Sequence, residues 1–310
     1  MSKVAVFGSF VADLMARSPR MPGPGETVRG LLFRMGPGGK GFNQGVAAHK
    51  AGADVTMITK LGRDSFADAA TGAMRSLGMR EDHLLFSQDA ATGAALILVD
   101  ERTGENEIVV VPGACDTITA QEVAAAEDVI AACDYVLLQL EINQDANEAV
   151  AALACRHGCR VILNPAPYAE VGDDFLSRVY MATPNEVEAE AMTGIPITDF
   201  ASAQKAAARL FSKGIRHVVI TLGARGVFIS SDGVERILPA FPVNAVDTTG
   251  AGDAFNGGLL AGLAEGMDIW QAARFASALA ALSVQKLGTT PSMPARAEID
   301  AFLALAGGEK

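Results

Sequence analysis

This sequence is poor in aromatic residues, in positive charge and in long apolar runs. It holds one tryptophan and three tyrosines among 310 residues. Lysine and arginine number 25 against 36 aspartates and glutamates, for a formal net charge of −11. Such a chain repels a phosphate backbone, which excludes a nucleic-acid partner. No apolar run reaches bilayer length, so no membrane role is expected. Met1 to Ser9 lacks the apolar stretch and cleavage site of a signal peptide, and the expected location is cytoplasmic. The four cysteines, Cys115, Cys133, Cys155 and Cys159, form no CxxC pair and have no histidine nearby at zinc spacing. Three of them lie in apolar or helix-like stretches and read as small core residues.

What is present is a large core. Half the residues are hydrophobic and a fifth are charged, the profile of a soluble globular protein. Lys3–Phe7 and Asp54–Thr59 are short β-branched runs that predict buried strands, with a helix over Asn43–Ala51 closed by Gly52. From Thr119 a regular alternation sets in. Thr119 and Glu122 form a capping box, Tyr135–Leu140, Arg160–Leu163 and His217–Leu222 predict strands, and Gln144–Arg156 and Ala201–Lys213 predict helices. Strands alternating with helices imply a mostly parallel sheet covered on both faces. Two stretches break the rhythm. Arg29–Met35 and Ala94–Val111 predict β-ribbons with no helix behind them, read as a small antiparallel sheet projecting from the body.

Two segments carry chemistry. In Val246-Asp247-Thr248-Thr249-Gly250-Ala251-Gly252-Asp253, a strand-like lead-in at Phe241–Ala245 feeds a glycine turn and then an apolar helix. The first turn of that helix leaves N–H groups unpaired at the positive end of the dipole, an anion site. Asp253, at the same place, can accept a proton from an attacking hydroxyl. A capped glycine turn of purely structural value would look similar. The second segment, Met35-Gly36-Pro37-Gly38-Gly39-Lys40-Gly41-Phe42-Asn43-Gln44, only superficially suggests a P-loop. Arg34 stands where that motif needs glycine, and Gly41 where it needs Ser or Thr. Its glycines are expected to form a flexible joint, and Asn43 offers a donor and an acceptor to a ligand hydroxyl.

Taken together, Gly-Gly-Lys-Gly-x-Asn-Gln and Asp-Thr-x-Gly-Ala-Gly-Asp resemble the two signatures of the ribokinase-like (PfkB) carbohydrate kinases. The resemblance extends in order and spacing through Pro24–Thr27, Gln139–Glu141, Asn164–Pro167, Thr183–Glu188, Thr221–Gly226 and Pro291-Ser292. It implies a three-layer α/β/α sandwich spanning residues 1–310, with a β-sheet lid from about 10–40 and 90–112. It also implies transfer of the γ-phosphate of ATP to the primary hydroxyl of a pentose.

The same resemblance implies residue roles. Asp253 would be the general base, and the amides of Gly250, Ala251, Gly252 and Asp253 the anion hole. Asp13, Gly39, Lys40, Asn43 and Glu141, with Asp253, would meet the sugar or a phosphate. Asn185 and Glu188 would position Mg²⁺ and the triphosphate through water, and Thr221, Gly223 and Gly226 would border the nucleotide. Asp247, Thr249, Lys286, Gly288 and Ser292 match the family's K⁺ site, mostly through backbone carbonyls. Family resemblance further suggests a homodimer formed by pairing lids.

One departure bears on the substrate. Ribokinases of the family have Asn-Ala-Asp near the N-terminus, whereas this chain has Val11-Ala12-Asp13. A ribose hydroxyl facing valine would lose its partner, so 2-deoxy-D-ribose stands beside D-ribose as a candidate substrate. Two alternatives remain open. A nucleoside kinase would favour aromatic residues in the lid ribbons, which offer only Phe33. A non-catalytic sugar-binding regulator would be expected to have lost Asp253 or the glycine turn, and both are intact.

Overall fold

The computed structural model of the protein describes residues 2–307. In chain order the strands are β1 (Lys3–Phe7), β2 (Val11–Ser18), β3 (Leu32–Gly38), β4 (Asp54–Leu61), β5 (Leu84–Phe86), β6 (Thr92–Asp100), β7 (Asn106–Gly113), β8 (Tyr135–Gln139), β9 (Arg160–Asn164), β10 (Val179–Ala182), β11 (His217–Thr221), β12 (Val227–Ser231) and β13 (Val234–Leu238). They form a nine-stranded sheet in the order β13-β12-β11-β10-β9-β8-β1-β4-β5 and a separate four-stranded sheet, β3-β2-β6-β7.

In the large sheet every pairing from β5 to β11 is parallel, and β12 and β13 fold back as a hairpin. Alternation along β1 explains why helices cover both faces. Val4 and Val6 enter one apolar core, and Ala5 and Phe7 the other. The first core is closed by helices Lys40–Lys50, Ala251–Ala264 and Ile269–Ser283, the second by Gln144–Arg156 and Phe200–Phe211. Each fully buried Leu, Ile, Val or Phe contributes about 1.5–3 kcal/mol. The three-layer sandwich expected from the alternation is therefore present. Among the described residues, no helix is long and apolar enough to cross a membrane.

Local signals behave as their chemistry requires. Thr119 and Glu122 cap each other reciprocally, and Asp199 caps the helix that begins at Phe200. Several expectations need correction. The small sheet is mixed, because β2 pairs β6 in parallel between two antiparallel edges. Strand β2 falls inside the expected lid segment 10–40 but outside the ribbon read at Arg29–Met35, and β10 and the β12–β13 hairpin are additions to the expected strands. Phe241–Ala245 is not a strand. Pro242 offers no N–H, and Phe241 packs edge-on against Phe302 at 4.9 Å. The expected glycine joint between ribbon and helix is a single residue, since Gly36 and Gly38 lie within β3. The helix starts at Lys40, with Gly39 at its N-cap at φ 90°. A Cβ there would stand 2.9 Å from the Val11 nitrogen, so the position needs glycine twice over.

Candidate active site

The loops that leave the carboxyl ends of β1, β8, β9, β10 and β11 converge on one side of the large sheet, where open α/β sheets place their ligands. There a cleft of about 180 Å³ is lined by Lys40, Asn185, Glu188, Thr221, Thr248 and the turn Gly250–Asp253, with Asn164, Ala166, Thr183 and Asn256 beneath. Helix Ala251–Ala264 begins at this cleft. Gly250 caps it at φ 75°, and no side chain caps its N–H groups. The Ala251 amide turns back onto the Thr248 carbonyl at 3.1 Å, which removes one of the four expected anion-hole donors. A Cβ on Gly252 would meet nothing within 4 Å, so the space over that peptide is open.

Asp253 is buried in the first turn of this helix. The helix sits close to helix Lys40–Lys50 because Gly257 lies in the contact. A Cβ there would come 2.4 Å from the Ala47 Cβ and 2.5 Å from the Gln44 carbonyl oxygen. That close approach brings two amides onto the carboxylate. Asn43 Nδ2 donates to Oδ2 at 3.0 Å, and Gln44 Nε2 donates to Oδ1 at 2.9 Å. Burial pushes the Asp253 carboxyl up to about 6, with Glu141 adding to the rise, while Lys40 and the two amides hold it back. Such a group is largely ionised at pH 7 and close to the range useful in a base.

The neighbouring charges belong to the same cluster. Glu141 accepts from the Ser9 hydroxyl at 2.5 Å and from the Lys40 N–H at 2.8 Å. Burial, then Glu141 and Asp253, push Asp13 up to about 6. Burial alone would lower Lys40, but Asp253, Glu141 and Glu188 outweigh it and leave its pKa above the usual value. Glu188 is raised by burial against the opposing pull of the Asn185 N–H and Lys40. Five of the sequence-derived site residues thus share one electrostatic field.

Other candidates are placed as follows. Asn185 and Glu188 cap each other, with both backbone-to-side-chain bonds at 2.8 Å. Their spacing therefore also serves the helix Glu186–Thr193, a contribution of about 0.5–2 kcal/mol. Asn43 is less free than expected, because its Oδ1 already accepts from the buried Thr290 hydroxyl at 3.0 Å. Gly39 lies at the foot of the small sheet beside Val11. Gly226 has a packing reason of its own, since a Cβ would strike the Leu238 carbonyl oxygen at 2.0 Å. Gly223, at φ 55°, opens onto free space next to Thr221.

Asp247 binds the Thr249 N–H and the Gly288 N–H, each at 2.9 Å, which overcomes burial and lowers its pKa. Ser292 is buried and its Oγ donates to the Thr289 carbonyl at 2.7 Å, whereas the Lys286 side chain turns away to Glu298 at 3.0 Å. Asp247, Thr249 and Gly288 are therefore joined, with Thr289 packed against Gly250. Sequence reasoning assigned no role to Gln44, Asn164, Thr183, Asn256 or Thr290. All five are buried polar side chains, Gln44 bonded to Asp253 and Thr290 to Asn43, and three of them, Gln44, Asn164 and Thr183, lie in segments quoted above for other reasons.

The chain matches a family model described as pfkB family carbohydrate kinase over residues 1–296. It is 42% identical over 300 residues to a ribokinase of Haemophilus influenzae, covering 97% of this chain and 98% of that one. It is 34% identical over 303 residues to a deoxyribokinase of Salmonella typhi, covering 97% and 99%. Its fold is similar to that of an Arabidopsis thaliana ribokinase solved with ribose and ATP, with a TM-score of 0.91 at 28% identity over 97% of this chain and 98% of that one.

Proposed function

Because the chain belongs to the pfkB family of carbohydrate kinases, we propose that it transfers the γ-phosphoryl group of ATP to the primary 5-hydroxyl of a pentose, either D-ribose or 2-deoxy-D-ribose. The observation that carries this reading is the buried Asp253 carboxylate beside a helix N-terminus that no side chain caps. Asp253 takes the proton of the sugar hydroxyl as that oxygen attacks the γ-phosphorus. The amides of Gly252 and Asp253, with Gly250, face the charge that gathers on the transferred group. Lys40 stands between this charge and the sugar, and Asp13, Gly39, Asn43 and Glu141 hold the remaining hydroxyls.

The charge of the cleft fits a divalent cation. Asp13, Glu141, Glu188 and Asp253 all act on one another or on Lys40, and burial raises three of them. Bound with ATP, Mg²⁺ would supply charge neutralisation of the triphosphate; Asn185 and Glu188 would hold it through water, the ligation it prefers. Thr221, Gly223 and Gly226 border the nucleotide. A carboxylate ringed by peptide groups also suits K⁺, and Asp247, Thr249, Lys286, Gly288 and Ser292 are assigned to it, Lys286 by its carbonyl alone.

The small sheet, segments 10–40 and 90–112, acts as the lid. Phe33, Leu96, Val109 and Val111 are each more than half exposed on it, which supports pairing of two copies through this face. Light scattering at micromolar concentration should return twice the chain mass. ATP as phosphoryl donor supports a cytoplasmic location.

Val11 keeps 2-deoxy-D-ribose beside D-ribose, since valine offers a hydroxyl no partner. It is buried where β2 pairs with Gly38 and Gly93, and its Cγ1 packs over Gly93. The test is ATP turnover against a panel of pentoses, deoxypentoses and nucleosides. ADP release that depends on ribose or 2-deoxyribose is expected; release with nucleosides alone, or with no acceptor in the panel, overturns the reading.

A further inference from the structure

Behind Asp253 runs a continuous chain of buried amides that neither the phosphate nor the sugar reading uses. Gln44 is its junction. Its Nε2 donates to Asp253 Oδ1 and to Asn164 Oδ1, both at 2.9 Å, and its Oε1 accepts from Gln139 Nε2 at 2.7 Å. Both of its amide hydrogens are spent and its orientation is forced. Were the amide turned over, its oxygen would face two oxygens.

Each neighbour is fixed in turn. Asn164 must point its oxygen at Gln44 because its Nδ2 donates to the Thr183 carbonyl at 3.1 Å. The Thr183 hydroxyl donates to Asn256 at 2.5 Å, and Asn256 Nδ2 reaches the Gly252 carbonyl at 2.9 Å. The chain thus leaves the carboxylate and returns to the peptide one residue before it. At the far end, Gln139 presents its nitrogen to Gln44 although its own Oε1 finds no partner among the described residues. That oxygen lies over Gly8, where a Cβ would stand 2.0 Å away. A buried polar atom left unmatched marks a constraint imposed by its other end.

We infer that Gln44 is a positioning residue, which holds the Asp253 carboxylate in one orientation and ties it, through Asn164, Thr183 and Asn256, to the peptide of Gly252. The inference rests on Asp253 being the base. A donor to a carboxylate favours its charged form, so losing Gln44 makes Asp253 harder to ionise. The test is the pH dependence of kcat at saturating ATP and ribose, or 2-deoxyribose if that is the better acceptor. The variants are Gln44→Met, which keeps the shape, and Gln44→Glu, which also keeps the acceptor for Gln139, with folding checked by circular dichroism.

The acid limb is expected to move up by about 1–2 pH units in Gln44→Met. In Gln44→Glu it should move further, since two carboxylates then share the site. Sugar KM should change less than threefold. An unmoved acid limb in whichever variant folds, or a loss confined to KM, overturns the inference. Asp253→Asn separates the two readings. If it retains turnover, the assignment of the base has failed; if it is inactive while the Gln44 limbs stay in place, only the role of Gln44 has.

Discussion

The cleft around Asp253, assigned here to the phosphate, and the small sheet, assigned to the sugar, are built on opposite principles. At the phosphate end, Asp253 is held by side chains from helix Lys40–Lys50, and the chain behind them reaches β8, β9 and the loop after β10. Every bond there is buried, and the helix contact at Gly257 leaves no room for even a methyl group. The small sheet has the reverse character. It carries Asp13 and Val11 on β2, is closely packed within itself at Gly38 and Gly93, meets the body at Gly39 beside Ser9 and Phe10, and exposes apolar side chains on its outer strands. The difference teaches where rigidity is needed. On the proposed reading the chemistry depends on a carboxylate and peptide groups already in place, whereas sugar choice and closure fall to a separate small sheet.

The comparison breaks most visibly at Asp253. Asp253→Asn should lower kcat about 10²–10⁴-fold while leaving ATP and sugar binding nearly intact. Steady-state kinetics together with calorimetric binding separates the two. Retained turnover would remove Asp253 from the base role.

Asp13 tests the sugar end through stability. Its folded pKa of about 6 lies above the ordinary carboxylate value of 3.8. The folded state therefore binds the extra proton, and stability falls as pH rises from about 4 through 6, remaining lower above that range. Asp13→Asn removes the penalty. Unfolding in urea at pH 7.5 should show a gain of at most about 3 kcal/mol, less whatever partial solvation has already relieved. The same variant should lose kcat/KM for both sugars. A loss of stability at pH 7.5 would mean that the cluster does not strain Asp13.

Val11 sharpens the contrast further. Val11→Asn should shift the ratio of specificity constants toward ribose over 2-deoxyribose by roughly 5–150-fold, equivalent to about 1–3 kcal/mol. Most of the shift should come from improved handling of ribose. An unchanged ratio would move the substrate choice to other pocket residues. The smallest effect concerns the loop that carries Asp247. Activity should rise when Na⁺ or choline is replaced by K⁺, and Asp247→Ala should blunt that rise. Indifference of the intact enzyme to the monovalent ion would retire the assignment.

These regions also differ in how far the sequence reveals them. The glycine turn Gly250–Asp253 at a helix start is legible because its parts are contiguous, with glycines, an aspartate and an apolar helix within ten positions. The covered parallel sheet is equally legible, since short β-branched runs alternate with capped helices. The β12–β13 hairpin carries a local signal of its own. Asp232-Gly233, both at positive φ, is a favoured two-residue turn between strands.

Strand β2 is harder. Val11–Ser18 mixes polar and apolar residues, and its parallel partner β6 lies some eighty residues away, so no local period marks it. The amide chain is hidden for the same reason. Gln44 meets Gln139 and Asn164 only after the sheet has assembled, and a lone glutamine in a helix looks like any solvated one. The reciprocal case is Asn185 and Glu188, to which the family resemblance gives a metal role and which the fold uses as a helix cap.

The most direct test of a fixed chemical end and a selective small sheet is the specificity-constant ratio, ribose over 2-deoxyribose, measured in Asp253→Asn. Both sugars should fall by the same factor, about 10²–10⁴, leaving the ratio at its starting value. A fall confined to one sugar, or turnover close to that of the unaltered enzyme, would contradict it.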